Sequence, residues 1–343
     1  MERRFHEIAS GRARGPGAAA LRFLLWLCSW VFEAGARLRS FGYDRGWLTI
    51  HRASVPVISV GNLTTGGTGK TPLVAFLATE LIARGLCPAI LSRGYGAVAG
   101  EANDEVSMLA RQIPGARFVT GPDRVTSAAV AAKNGADVIL LDDGFQHRRL
   151  ARDLDIVVVD ATRPFGYDAL LPRGLLREPL CALARAQIVF ISRCNLVPEP
   201  RLLEIEEQLR RSGAKRITRG RLAAGWLRLL AGDQRQETTW LDGQRIVAAC
   251  GIGNPQAFKA GLTLLGAEVC ELRAFPDHYE YQAADLQELQ TLAKQQPVIV
   301  TAKDEGKLAS LADGSVPGLW VYDVELAPDE PELLRSLLDG LKA

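Results

Sequence analysis

Several familiar signatures are missing from this sequence. The six cysteines, at 28, 87, 181, 194, 250 and 270, include no C-x-x-C pair. That removes the usual zinc-site and disulfide-framework patterns and leaves the reduced thiols of a cytoplasmic protein. Charge of one sign is scarce: the net charge is +2. Phosphate-backbone binders usually carry a strong basic bias, so this balance neither points to nucleic acid nor forbids it, and no nucleic-acid partner is expected. No internal repeat is convincing. With 48% hydrophobic and 23% charged residues the composition is that of a globular chain, not a disordered one. Its 343 residues suffice for two ordinary domains.

A long uncharged apolar run is missing from the N-terminus as well. Residues 1–52 hold nine Arg and no Lys against Glu2, Glu7, Glu33 and Asp44. Within them lies the apolar stretch 18–36, whose uncharged core, Phe23 to Phe32, is ten residues. A helix needs about 20 to cross the roughly 30 Å hydrocarbon layer. A secretory signal is a rival reading, but the nucleotide loop described next belongs where ATP is, which argues against export. A core helix and a helix lying in the membrane interface remain. Trp26, Trp30 and the flanking arginines suit the interface. Residues 1–17 are Arg/Gly-rich and expected to be disordered. Residues 37–52 read as a short basic connection carrying Phe41, Tyr43 and Trp47.

What is present is a phosphate cradle. Val55 to Val60 is a β-branched apolar run of the kind that makes a buried strand. It breaks into a loop with Gly61, Gly66, Gly67 and Gly69, ending in Lys70-Thr71 before helix-forming sequence. Glycines let backbone N–H groups surround an anion, and the helix N-terminus adds its dipole. Lys70 can reach the phosphates and the Thr71 hydroxyl can ligate Mg²⁺. Thr64 stands where the strict pattern has glycine.

The rest of the chain alternates strand and helix. Strands are expected at 88–92, 117–120, 137–142, 155–160 and 187–192, with helices at about 101–112 and 123–134. The strand 137–142 ends in Asp142-Asp143-Gly144, and an acid at the tip of a strand parallel to the phosphate-loop strand is the usual partner of Mg²⁺. An Asp-Gly turn is the bland alternative. His147 could equally be a structural histidine. Residues 163–180 form a Pro-, Gly- and Arg-rich link, a type more often functional than not; Arg177 and Glu178 in it could also be a solvated pair. Residues 215–243 read as a β-ribbon, after which βα alternation resumes to the C-terminus. Gly251-Ile252-Gly253-Asn254 only hints at a dinucleotide loop.

Taken together, GNLTTGGTGKTP, SRGYG, LLDDGFQHRRLARDLDIVVVD, LLPRGLLREP, FPDHY and TAKDEGKL make the chain resemble the tetraacyldisaccharide 4′-kinase (lipid A 4′-kinase) family of Gram-negative bacteria, from about residue 20 to about 325. The family also carries Ser or Thr at the position of Thr64. The resemblance implies an α/β fold: two α/β/α sandwich domains, the first a P-loop NTPase-like parallel sheet, joined by a β-ribbon and preceded by an apolar helix. The expected divisions are 1–17, 18–52, 53–214 for the kinase domain, 215–243 for the ribbon and 244–343 for a smaller domain closing over the site. It implies ATP and Mg²⁺ as cofactors and phosphorylation of the 4′-hydroxyl of a tetraacyldisaccharide 1-phosphate to give lipid IVA.

By the same likeness Asn62, Thr64, Thr65, Gly66, Gly67, Thr68, Gly69, Lys70, Thr71 and Arg177 would bind nucleotide. Thr71, Asp142, Asp143, Gln146 and Glu178 would serve the metal. Asp104 would be the base, tuned by His278, with Lys70 completing the catalytic set; Arg93, Tyr95 and His147 would face the acceptor. The family usually reads Gly-Asp-Glu-Pro where this chain has Asn103-Asp104-Glu105-Val106, so Glu105 is the second candidate base. It often reads Pro-Ala-Gly-Pro where this chain has Pro172-Arg173-Gly174-Leu175. The resemblance favours peripheral or monotopic contact of the first helix with the cytoplasmic face of the inner membrane, and no obligate protein partner. Two alternatives are a P-loop kinase or ligase for a small soluble acceptor and a membrane-recruited nucleotide switch.

Overall fold

The computed structural model describes residues 7–93, 104–277 and 279–341. The chain divides into two compact units, one of Met1–Arg93, Gly115–Gly220 and Pro328–Ala343, the other of Gly94–Pro114 and Arg221–Ala327.

The first unit opens with helix α1 (Pro16–Asp44). There follow β1 (Val57–Asn62), α2 (Lys70–Ala83), β2 (Pro88–Ser92), β3 (Arg117–Thr120), α4 (Arg124–Lys133), β4 (Val138–Asp142), β5 (Leu154–Asp160), β6 (Ile188–Ser192), α5 (Glu199–Arg211) and the start of β7 (Ile217–Leu229); helix α3 (Asp104–Gln112), between β2 and β3 in sequence, belongs to the second unit. The strand order is β7-β6-β5-β1-β4-β2-β3, and every pairing in it is parallel. Strands β1, β4, β5 and β6 are buried along their whole length, as uninterrupted Val/Ile/Leu runs require when both sheet faces are covered. One face packs Leu63, Phe145, Val157, Leu183 and Ile191; the other packs Val57, Leu91, Ala128, Ile139 and Leu141. The phosphate-loop strand β1 lies between β4 and β5, so the loop after it opens among their carboxyl ends.

Helix α1 is longer than its apolar stretch suggests. Arg37–Asp44, expected as part of the basic connection, continues it, aided by the Glu33–Arg37 pair one turn apart. The helix is tied to its unit along its length. Ser29 Oγ donates to Leu170 O and accepts from Arg173 N, both at 3.0 Å. Arg39 donates to Gln146 O (3.0 Å), and Arg148 donates to Ser40 Oγ (2.8 Å) and pairs with Asp44 (2.7 Å). Within the stretch expected to be disordered, Ala9 is buried and its carbonyl accepts from Arg173 (2.7 Å). The opposite side of α1 is bare: Phe23, Leu27, Trp30, Val31, Leu38 and Phe41 follow helical spacing and are all exposed, Val31 by 75%.

In the second unit the end of β7 pairs antiparallel with β8 (Arg235–Glu237). Then come β9 (Arg245–Cys250), α6 (Pro255–Leu264), β10 (Glu268–Ala274), α7 (Ala283–Ala293), β11 (Val298–Thr301), α8 (Ala302–Ser310) and β12 (Leu319–Pro328). The order is β10-β9-β11-β12-β7, with β10, β9, β11 and β12 mutually parallel. The last helix, α9 (Pro331–Asp339), returns to the first unit. There Arg335 grips Glu80 of α2 through Nε (3.0 Å) and Nη2 (2.9 Å).

Candidate active site

The loop between β1 and α2 is braced from both sides. Asn62 Nδ2 donates to Thr68 Oγ1 (3.0 Å) inside the loop. At the end of β6, Ser192 Oγ donates to Thr68 O (2.7 Å), and Arg193 Nη1 donates to Gly67 O (2.9 Å) while pairing with Asp160. On the other side Thr65 N donates to Leu175 O (2.8 Å) and Arg177 N to Leu63 O (2.7 Å). Between these two rungs Thr64 forms an antiparallel bridge with Leu176. An extended bridge position accepts a β-branched residue, which explains threonine where the strict pattern has glycine. Gly69, the residue before α2, has φ +82°, a left-handed conformation that glycine takes without strain. Lys70 and Thr71 then open the helix, whose free N–H groups face the loop.

The end of β4 supplies the acid. Asp143 turns left-handed (φ +55°), and its carboxylate meets Lys70 Nζ at 3.4 Å and Arg177 Nη1 at 2.7 Å. Burial alone would raise its pKa, but Lys70 and Arg177 outweigh it and hold the carboxyl below its usual range. Asp142 is buried, and its carbonyl accepts from Arg124 Nη2 (3.2 Å). Gln146 spans the group: Nε2 donates to Asn62 O (2.9 Å) and Oε1 accepts from Arg177 (3.3 Å). The turn sits so close to β1 that a Cβ on Gly61 would lie 2.5 Å from Phe145 Cβ.

The other expected residues are placed as follows. The Glu178 carboxylate is held by Arg185 (2.8 and 3.2 Å), whose guanidinium lies over the Phe145 ring. His147 follows Gln146; burial first, then Arg124, Arg149 and Arg152, lowers its pKa to about 4, so the ring is neutral at pH 7. Arg93 follows β2 and is exposed. Asp104 is the first residue of α3 in the second unit. Tyr95 and His278 lie outside the described residues. Among the described residues no three His, Cys, Asp or Glu side chains gather around one point. Ser192, Arg193, Asp160, Arg185 and Arg124 were not expected from the sequence. The first three occupy or follow the carboxyl ends of β5 and β6, where ligands of parallel sheets bind, and that position was the available signal.

A parallel sheet whose interior strand feeds a Gly-Lys-Thr loop at a helix N-terminus, with a strand-end aspartate against the lysine, defines a P-loop NTPase-like protein. The chain belongs to one family of that class: the tetraacyldisaccharide-1-P 4′-kinase (LpxK) family model matches residues 21–342. A tetraacyldisaccharide 4′-kinase of Anaeromyxobacter sp. is 41% identical over 95% of this chain and 94% of that protein. One of Geobacter sulfurreducens is 36% identical over 98% of each. The crystal structure of LpxK from Aquifex aeolicus in complex with ATP superposes with a TM-score of 0.71 at 28% identity, covering 93% of this chain and 98% of that one.

Proposed function

We propose that the protein transfers the γ-phosphoryl group of ATP to the 4′-hydroxyl of a tetraacyldisaccharide 1-phosphate, forming lipid IVA in lipid A biosynthesis. The observation that carries the reading is the Lys70–Asp143–Arg177 group at the mouth of the Gly69-Lys70-Thr71 loop, in a chain of this family.

The donors available suit Mg²⁺. It is bound through one or two carboxylates plus substrate phosphates and water, not by an all-protein cage, and Asp142, Asp143 and the Thr71 hydroxyl are such an all-oxygen set. When bound, Mg²⁺ offsets charge on the transferring phosphoryl group. Gln146 and Glu178 are already engaged by Arg177 and Arg185 and serve this reading as supports of the group. Loop N–H groups, Lys70 and Arg177 hold the phosphates. Asp104 takes the proton of the acceptor hydroxyl, with His278 tuning it, because an alcohol attacks poorly unless a base removes its proton. Arg93, Tyr95 and His147 face the acceptor.

Helix α1 embeds its bare apolar side in the cytoplasmic face of the inner membrane as a monotopic anchor, with no obligate protein partner. The contacts of Ser29, Arg39, Ser40 and Asp44 with the first unit support this: a helix bonded to its own unit at mid-length and at its end has one side to give to lipid.

Phosphate transfer from Mg·ATP to purified tetraacyldisaccharide 1-phosphate in detergent tests the reaction. Transfer is expected, with a loss of about 100-fold or more in Lys70→Ala. Absence of transfer by a protein that still binds ATP would remove the lipid acceptor and favour a soluble acceptor or a nucleotide switch.

A further inference from the structure

The motif TAKDEGKL runs from the last residue of β11 into α8, which joins several pieces of the second unit. At its start Asp304 is buried, accepting Thr301 Oγ1 (2.5 Å) and Gly251 N (3.1 Å). One side of α8 carries Lys303 and Lys307, one turn apart. Lys303 Nζ reaches Asp277 Oδ1 (3.0 Å), while Lys307 Nζ donates to Tyr279 O (2.9 Å) and pairs with Glu280 (3.1 Å). Both side chains are largely buried, at 17% and 12% exposure. Behind them Phe275, Tyr279 and Tyr281 pack ring on ring at 4.9–5.3 Å. Glu305 projects from another side. Arg228 clamps its carboxylate (2.8 and 2.9 Å), and Arg111 at the end of α3 approaches it at 3.6 Å. Met108 of α3 packs with the cluster of Ala302, Leu308, Phe275 and Tyr279. At Gly306 the nearest atom to an added Cβ is Arg111 Nη2, at 3.5 Å.

We propose that α8 is the seat of the proton-accepting apparatus: Lys303 and Lys307 fix Asp277, Tyr279 and Glu280, and Glu305 with Arg228 seats α3, the helix that begins with Asp104. Lys303, Lys307 and Glu305 are thus positioning residues. The inference rests on the reading of Asp104 as the base. Lys303 ties Asp277, and Lys307 ties the Tyr279 carbonyl and Glu280, to α8, so loss of either lysine is expected to shift the residues it holds. A displacement of about 1 Å in catalytic geometry can lower turnover 100-fold.

The test measures kcat and KM for Mg·ATP and lipid in detergent micelles for Lys303→Met, Lys307→Met and Lys303→Arg, with Asp104→Asn in parallel and circular dichroism on each. The expected result is a fall in kcat of about tenfold or more in both Met variants. KM for Mg·ATP should stay within about twofold, since the phosphate loop belongs to the other unit, and the acid limb of the kcat–pH profile should move. Lys303→Arg should recover most of the turnover. If Lys303→Met unfolds, Asp277→Asn removes the same ion pair from the other side and takes its place. Both Met variants turning over within about twofold of the parent, beside an inactive Asp104→Asn, would overturn the proposal alone. An active Asp104→Asn would remove the base reading first, and the seat with it.

Discussion

Asp143 holds two cations, Lys70 and Arg177, that the phosphates of a nucleotide would also attract. In Asp143→Asn both lose their fixed countercharge, and turnover is expected to fall about 100-fold, read as kcat in the detergent assay. The pH dependence follows from the sign of the shift. A carboxyl held below its usual range contributes its stabilisation above an unfolded pKa of about 3.9 and loses it only as pH falls through the lower folded value. Asp143 therefore stays ionised throughout pH 5–8, and any acid limb of kcat in that range belongs to another group and should persist, at lower amplitude, in Asp143→Asn. Gly61 gives a steric test: the methyl of Gly61→Ala would meet Phe145 Cβ at 2.5 Å and Phe145 N at 2.6 Å. The expected cost is about 1–3 kcal/mol of stability, seen in denaturant unfolding. Lys70 and Thr71 were legible because spacing on one strand–loop–helix fixes them, and the aspartates because they stand at the end of a separate apolar strand, β4. Arg193 was not, since its contacts with Gly67 and Asp160 depend on which strand ends become neighbours, a non-local fact.

At the scale of elements, the strand at 88–92 was read to the residue, as was 117–120, and 137–142, 155–160 and 187–192 to within one residue at one end. These are short apolar runs bounded by turn residues, the case in which local pattern and buried parallel sheet agree. The end of α1 was not legible, because Arg37–Asp44 mixes arginines with Gly42 and is held in place by Arg148 and Gln146, residues distant in sequence. The return of α9 to α2 was hidden for the same reason. That contact makes a prediction of its own. Glu80 is held below its usual range chiefly by its hydrogen bond from Arg335, so the pair stabilises the fold above the unfolded Glu pKa of about 4.3 and is lost as pH falls through the lower folded value. Glu80→Gln should lower the melting temperature at pH 7 by no more than a few degrees, and the difference from the parent should narrow as pH falls below the unfolded Glu value of about 4.3.

For the whole molecule, the balanced net charge conceals an uneven distribution, with nine arginines in residues 1–52 beside a helix whose apolar side is bare. Sequence alone left a core helix and an interfacial helix both open. Contacts along one side of α1 and exposure along the other favour the interfacial arrangement, as the family's acylated substrate does. Trp30 and Val31 are 60% and 75% exposed, so replacing both with Asp removes little packing, and circular dichroism and transfer in detergent micelles should be unchanged. Binding to vesicles with anionic lipid should weaken by about tenfold or more, since withdrawing a large apolar side chain from a nonpolar phase costs about 1.5–3 kcal/mol and about 1.4 kcal/mol is tenfold. Raising salt should weaken the binding of the parent too, because arginine attraction to the surface is screened within about 10 Å at 0.1 M. Apolar insertion persists at high salt, so the Asp variants should lose the residue that salt leaves behind. A double variant that unfolds would return α1 to the core, and one that binds vesicles as the parent does would move the anchor to another surface.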